Sequence, residues 1–95
     1  MPAIGVLTIE LRLAGAHSLK EKRHWVKGLK DRVRARHNVA IAEVEDLNLH
    51  NSAVIAAVTV SRSRENAAKV LDSVERTAAL FLGGCLAGTT LEWLE

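Results

Sequence analysis

The chain has 95 residues and a mass of 10.3 kDa, which is room for one domain and no second core. Apolar residues make up 48% and charged residues 25%, the balance of a globular protein rather than a disordered one, and charges interrupt every window long enough to span a membrane. The single cysteine, Cys85, rules out an intrachain disulfide, and with no signal-peptide pattern at the start the expected compartment is the cytoplasm.

Residues 3–13 alternate from Gly5 onward. Leu7, Ile9, Leu11 and Leu13 fall on one face and Val6, Thr8, Glu10 and Arg12 on the other, which predicts a strand with one apolar face. After the connection 14–17, Ser18 and Glu21 form a capping box that opens a helix. Trp25, Val26, Leu29 and Val33 recur at helical spacing and are expected to face the core. Gly28 is either a point of close approach to the sheet or an exposed residue. The helix is expected to end near 36–38.

Val39–Glu45 reads as a second strand, with Val39, Ile41, Glu43 and Glu45 on one face and Ala40, Ala42 and Val44 on the other. Residues 53–61 (AVIAAVTVS) are apolar on both faces, the pattern of a central strand covered on both sides. Ser61 or Ser63 caps a second helix whose buried stripe is Ala67, Val70, Leu71, Val74, Ala78 and Phe81. Gly83 and Gly84 end it. Leu86–Glu95 returns as a last strand with Thr89, Leu91 and Trp93 on one face.

The order is β-α-β-β-α-β over a single domain, residues 1–95. It predicts an α+β ferredoxin-like two-layer sandwich, with a four-stranded antiparallel sheet in the order 4-1-3-2 and two helices on one face. The other face is too apolar to lie open across a whole sheet. A homodimer through that face or through a strand edge is therefore expected, its polar rim drawn from those of Glu10, Arg12, Glu43, Glu45 and Glu92 that the strand register turns outward. The first and third strands carry no aromatic residue, so the base-stacking surface of RNA-binding proteins of this fold is missing.

The net charge of +2 conceals an asymmetry. Residues 20–36 hold eight bases against Glu21 and Asp31, a balance of +6, whereas residues 37–95 sum to −4. Arg23, Lys27, Lys30 and Arg34 fall on one ribbon of the first helix, with Lys20 near its start. At 1.5 Å per residue the ribbon runs about 16 Å, long enough to follow several backbone phosphates. RNA or a ribonucleoprotein, contacted through these five residues, is the first functional reading.

A second reading lies at one end of the sheet, where the connections 14–18, 46–52 and 82–86 are expected to emerge together. They bring His17, Ser18, Lys20, Asp46, His50, Asn51 and Cys85 into one neighbourhood. There the first helix offers free N–H groups, and His17, Ser18, Lys20 and Lys22 are the candidate ligands of a small anion, in a binding protein or an enzyme. A third reading is an oligomeric module that takes an acidic protein partner. No metal-ligand spacing and no catalytic constellation is present, so no catalytic residue, metal or cofactor is assigned.

Gly15–Arg23 (GAHSLKEKR), Val39–Asp46 (VAIAEVED) and Leu49–Ala53 (LHNSA) together resemble the YlxP-like family, a bacterial family catalogued as a domain of unknown function. The resemblance covers nearly the whole chain. It implies a ferredoxin-like domain and, because members are often encoded among genes for ribosome maturation and translation, a role near RNA or the ribosome. It supplies no active site. The loop departs from the pattern at Asn51-Ser52, where a more charged pair is expected.

Overall fold

The computed structural model describes residues 1–94. Its order is β1 (Ala3–Arg12), α1 (Leu19–Arg36), β2 (Ala40–Glu45), β3 (Ser52–Ser61), α2 (Arg64–Leu82), a short 3-10 turn (Gly83–Cys85) and β4 (Leu86–Leu94). The strands form one sheet in the order β2-β3-β1-β4, every neighbour antiparallel. Both helices lie on one face. This is the ferredoxin-like arrangement expected from the element order. Glu95, assigned to the last strand from its sequence, lies outside the described residues.

The period-two pattern decides which side chains enter the core. Leu7, Ile9 and Leu11 of β1 and Ala53, Ile55 and Ala57 of β3 are buried against Val26, Leu29 and Val33 of α1 and Leu71, Val74, Ala78 and Leu82 of α2. Leu82 takes the end of the α2 stripe, while Phe81 turns toward α1. Gly5 is the one gap in the alternation of β1. A Cβ there would stand 2.7 Å from Leu71 Cδ1 and 3.1 Å from the Trp93 ring, so the absent side chain lets α2 and β4 close over the strand.

Gly28 marks a close approach, but to α2 rather than to the sheet. A Cβ there would lie 2.8 Å from Phe81 Cζ. The Phe81 ring is held between Trp25, at 5.3 Å between centroids, and the Arg32 guanidinium, 4.0 Å above it.

Local chemistry sets the ends of the elements. Ser18 Oγ accepts from Glu21 N–H at 3.2 Å, and the Glu21 carboxylate accepts at 3.1 Å from the N–H of His17, one residue before the cap, rather than from Ser18 N–H as the expected capping box has it. Ser63 caps α2 by accepting from Asn66 N–H. Gly83, at φ 54, ends α2 where an L side chain would be strained. His37 caps α1, its backbone N–H donating to Val33 O, and its Nε2 lies 2.8 Å from Thr77 Oγ1 of α2.

Partial burial, reinforced by the charges of Arg36 and Arg76, holds the His37 imidazole below its ordinary value of 6.5. The fold therefore prefers the neutral ring. Its contribution to stability is complete above the ordinary value and is lost as pH falls through it toward the lower value of the folded state. Thermal melts should show a lower midpoint at about pH 5 than at about pH 7.5, with His37→Gln flattening part of that difference. A wild-type profile that the substitution leaves unchanged would remove His37 from the account.

Candidate functional site

Residues of α1 divide into a buried set and an exposed set, and the division differs from the one expected. Lys22 is 1% exposed. It sits four, seven and eleven residues before Val26, Leu29 and Val33, so helical geometry places it in the core-facing stripe. Its ammonium donates to Asp46 O at 2.6 Å, Ser52 O at 3.2 Å and, more weakly, Leu47 O at 3.4 Å. Glu43 Oε2 stands 2.8 Å away as the counter-charge. That oxygen is buried and its contact with the ammonium lacks hydrogen-bond geometry, so the two meet as an ion pair rather than through a directed hydrogen bond.

The loop between β2 and β3 is shaped to meet this cation. Asp46 has φ 61, the left-handed region that Asp tolerates better than most residues. Its carbonyl accepts both from Lys22 and from Leu49 N–H, and its carboxylate accepts from Ser52 Oγ at 3.3 Å.

Three expectations are corrected here. Lys22, a candidate anion ligand, is committed inside the protein, because the carbonyls and Glu43 already satisfy it. Glu43, a candidate rim residue, faces the helices. Glu45 pairs opposite Val54 after a bulge that follows Glu43, and so moves from the face of Ile41 to the open face.

The remaining members of the end cluster are brought partly together. Leu11 pairs with Leu86 and Arg12 with Ser52, so the three connections do emerge at one end. Leu13 N–H donates to Asn51 O at 2.8 Å, which joins the first two. Ser18 and His17 N–H serve the N-terminal cap of α1. Lys20 lies at the surface beside Glu21, His24 and Trp25. Cys85 is half-buried against the core. Among the described residues no group of three or more His, Cys, Asp or Glu is placed to hold a metal ion.

The basic ribbon is intact, with one member partly committed. Arg34 donates to Ile41 O at 3.1 Å and so satisfies a carbonyl of the edge strand β2. Lys27 pairs with Asp31 at 2.7 Å, both exposed. That hydrogen bond, with the charges of Lys27, Arg34 and Lys30, holds the Asp31 carboxyl below its ordinary value. Among the described residues Lys20, Arg23 and Lys30 have no ion pair or side-chain hydrogen bond.

The ribbon occupies the flank of α1 that overhangs β2. The opposite flank, with Trp25, Gly28 and Arg32, meets α2. The aromatic residues are all engaged on the helix side of the sheet, Trp93 beneath Arg64 at 5.2 Å. None is placed to stack a base on the open face.

A family model described as "Protein of unknown function (DUF503)" matches residues 4–83. No curated protein matches the sequence. Among solved structures, a de novo designed protein with a ferredoxin fold superposes with a TM-score of 0.58 at 13% identity, covering 99% of this chain and 84% of that one. A hypothetical protein of Arabidopsis thaliana gives 0.55 at 19%, covering 99% and 87%. A dimeric ferredoxin-like protein of unknown function from Thermobifida fusca gives 0.50 at 15%, covering 96% and 90%. These likenesses establish the fold. Among the described residues no helix is long and apolar enough to cross a membrane.

Removing the buried ammonium strands Glu43 and leaves the loop carbonyls without their donor. Lys22→Met should cost roughly 3–5 kcal/mol in urea unfolding, and adding Glu43→Leu should recover part of the loss. Lys20→Met, two residues away at the surface, should stay within about 0.5 kcal/mol of wild type. Equal stability of the two lysine variants would refute the buried clamp.

Proposed function

We propose, on the premise that this chain belongs to the DUF503 family of proteins of unknown function, that it is a non-enzymatic cytoplasmic protein that holds RNA or a ribonucleoprotein such as a ribosomal particle. The observation that carries this reading is the flank of α1 formed by Lys20, Arg23, Lys27 and Lys30. It is a row of cations about 15 Å long, in which Asp31 is the one paired carboxylate among the described residues. Cations at this spacing suit successive phosphates, whose binding releases counterions and depends steeply on salt. Arg34 extends the row while tethered to β2.

The mode of recognition follows from what accompanies the cations. No aromatic ring is placed for stacking, so the contact positions the protein on a backbone without reading bases. An acidic protein partner is less favoured, because specific protein interfaces centre on apolar or aromatic anchors and the ribbon carries none. A small-anion site at the start of α1 keeps His17, Ser18 and Lys20 but loses Lys22 to the core. Self-association also belongs to this reading. The sheet face opposite the helices is predominantly apolar, with Val60 62% and Leu94 55% exposed.

The experiment is titration of labelled single-stranded RNA across a salt series. Wild-type affinity should fall linearly on logarithmic axes, by about 0.7 in slope for each phosphate neutralised. Arg23→Gln/Lys27→Gln/Lys30→Gln should weaken binding at least about tenfold at low salt and reduce the slope by roughly 2. Binding unchanged in the triple variant would reduce the ribbon to a solvated helix face.

A further inference from the structure

We infer that the open face of the sheet is the interface between two copies of this chain, packed sheet against sheet. The inference specifies the self-association proposed above and rests on that part of the reading alone, independent of RNA.

The open face is defined by register. Ile4 lies between Val60 and Leu94, and Val6 between Val58 and Glu92. Thr8 lies between Ala56 and Thr90, with Ala42 beyond Ala56. Charged groups are confined to the border, with Arg12 and Glu10 at one end of β1, Glu45 beside Val54 on the β2 side and Glu92 on β4. The strongest pointer is β3. Val54, Ala56, Val58 and Val60 make its second face as apolar as the one buried under the helices, the composition of a strand covered on both sides. The chain supplies one cover.

Area supports a second copy as the missing one. The isolated chain exposes 5902 Å². A compact monomer of this mass exposes roughly 5,400 Å², so about 500 Å² is in excess. Four strands about 4.8 Å apart and some eight residues long present a footprint of roughly 500 Å². Two such faces joined would bury about 1,000 Å² in total, the lower bound for a specific interface.

Shape makes the same choice. The middle row, Ala42, Ala56, Thr8 and Thr90, is uniformly small, so a second sheet can approach the face closely along it. A second sheet of the same twist matches it, at about 10 Å separation and roughly −30°. Pairing through the β2 edge is disfavoured by its six-residue length, its bulge and the Arg34 contact on Ile41 O. In the face-to-face dimer both α1 ribbons point outward on opposite surfaces.

Sedimentation equilibrium at micromolar concentration, without RNA, should give twice the chain mass of 10.3 kDa. Ala56→Glu should give the monomer, and Leu80→Glu, on the helix surface, should stay dimeric. Because Ala56→Glu can disturb folding, Ala56→Cys in a Cys85→Ser background provides a second measurement, and a bifunctional maleimide long enough to span two packed sheets, about 10 Å apart, should join two such chains at this position into a covalent dimer. A monomeric wild type overturns both self-association and this interface. A dimeric wild type whose Ala56→Glu variant remains dimeric, or whose Ala56→Cys variant does not cross-link, overturns the interface alone.

Discussion

The Lys22 ammonium is the constraint on which the rest of the molecule depends. Burying a charge is costly unless every polar demand around it is met. Here one cation reaches from the first turns of α1 to Glu43 of β2 and to the backbone of the following loop. It thereby fixes the helix over the edge strand, the loop over the helix, and the left-handed turn at Asp46. Three leucines or valines would pack as tightly, but none would specify which carbonyls face inward. The buried ion pair therefore contributes definition of the β2–β3 end rather than net stability.

That role also explains the most distinctive sequence segments. Ser18 and Glu21 cap the helix, Lys22 and Glu43 pair inside, and Asp46 and Ser52 shape the loop. A stretch rich in lysine, glutamate and serine looks like chemistry at a surface. Much of it is internal architecture, and what remains outside is the cationic flank of α1. Structure and function are thus interleaved on one helix, with Lys22 turned inward and Lys20, Arg23, Lys27 and Lys30 turned out.

Most of the fold was legible because it rests on periodicity. Period two in β1 and β3, helical spacing in α1 and α2, and the Ser18, Ser63 and Gly83 signals suffice for element order and sheet topology. The expectations that fail are those in which residue type outweighs position. Lys22 occupies the same stripe as Val26, Leu29 and Val33, and Glu43 the same strand face as Ile41, so spacing alone marked both as core-facing. The displacement of Glu45 was not readable, since a bulge depends on how the β2–β3 loop closes onto Lys22. The partner of Gly28 was hidden for a related reason, because helix–helix contact follows from the positions of both helices on the sheet.

The open face extends the same logic to assembly. Composition already describes β3 as a strand with two dry sides, and the two helices cover only one. The outer flank of α1 stays free in either state, so covering the sheet leaves the cationic surface available. Position, not charge, separates Lys22 from Lys20, Lys27 and Lys30 on α1, and the outer three belong to the surface proposed to meet RNA. Quantitative lysine labelling of the native protein, with and without single-stranded RNA, tests it most directly. Lys22 should resist the reagent in both states, while Lys20, Lys27 and Lys30 should react freely and become shielded when RNA is present. Labelling of Lys22 at the rate of Lys20, or ribbon lysines indifferent to RNA, would contradict it.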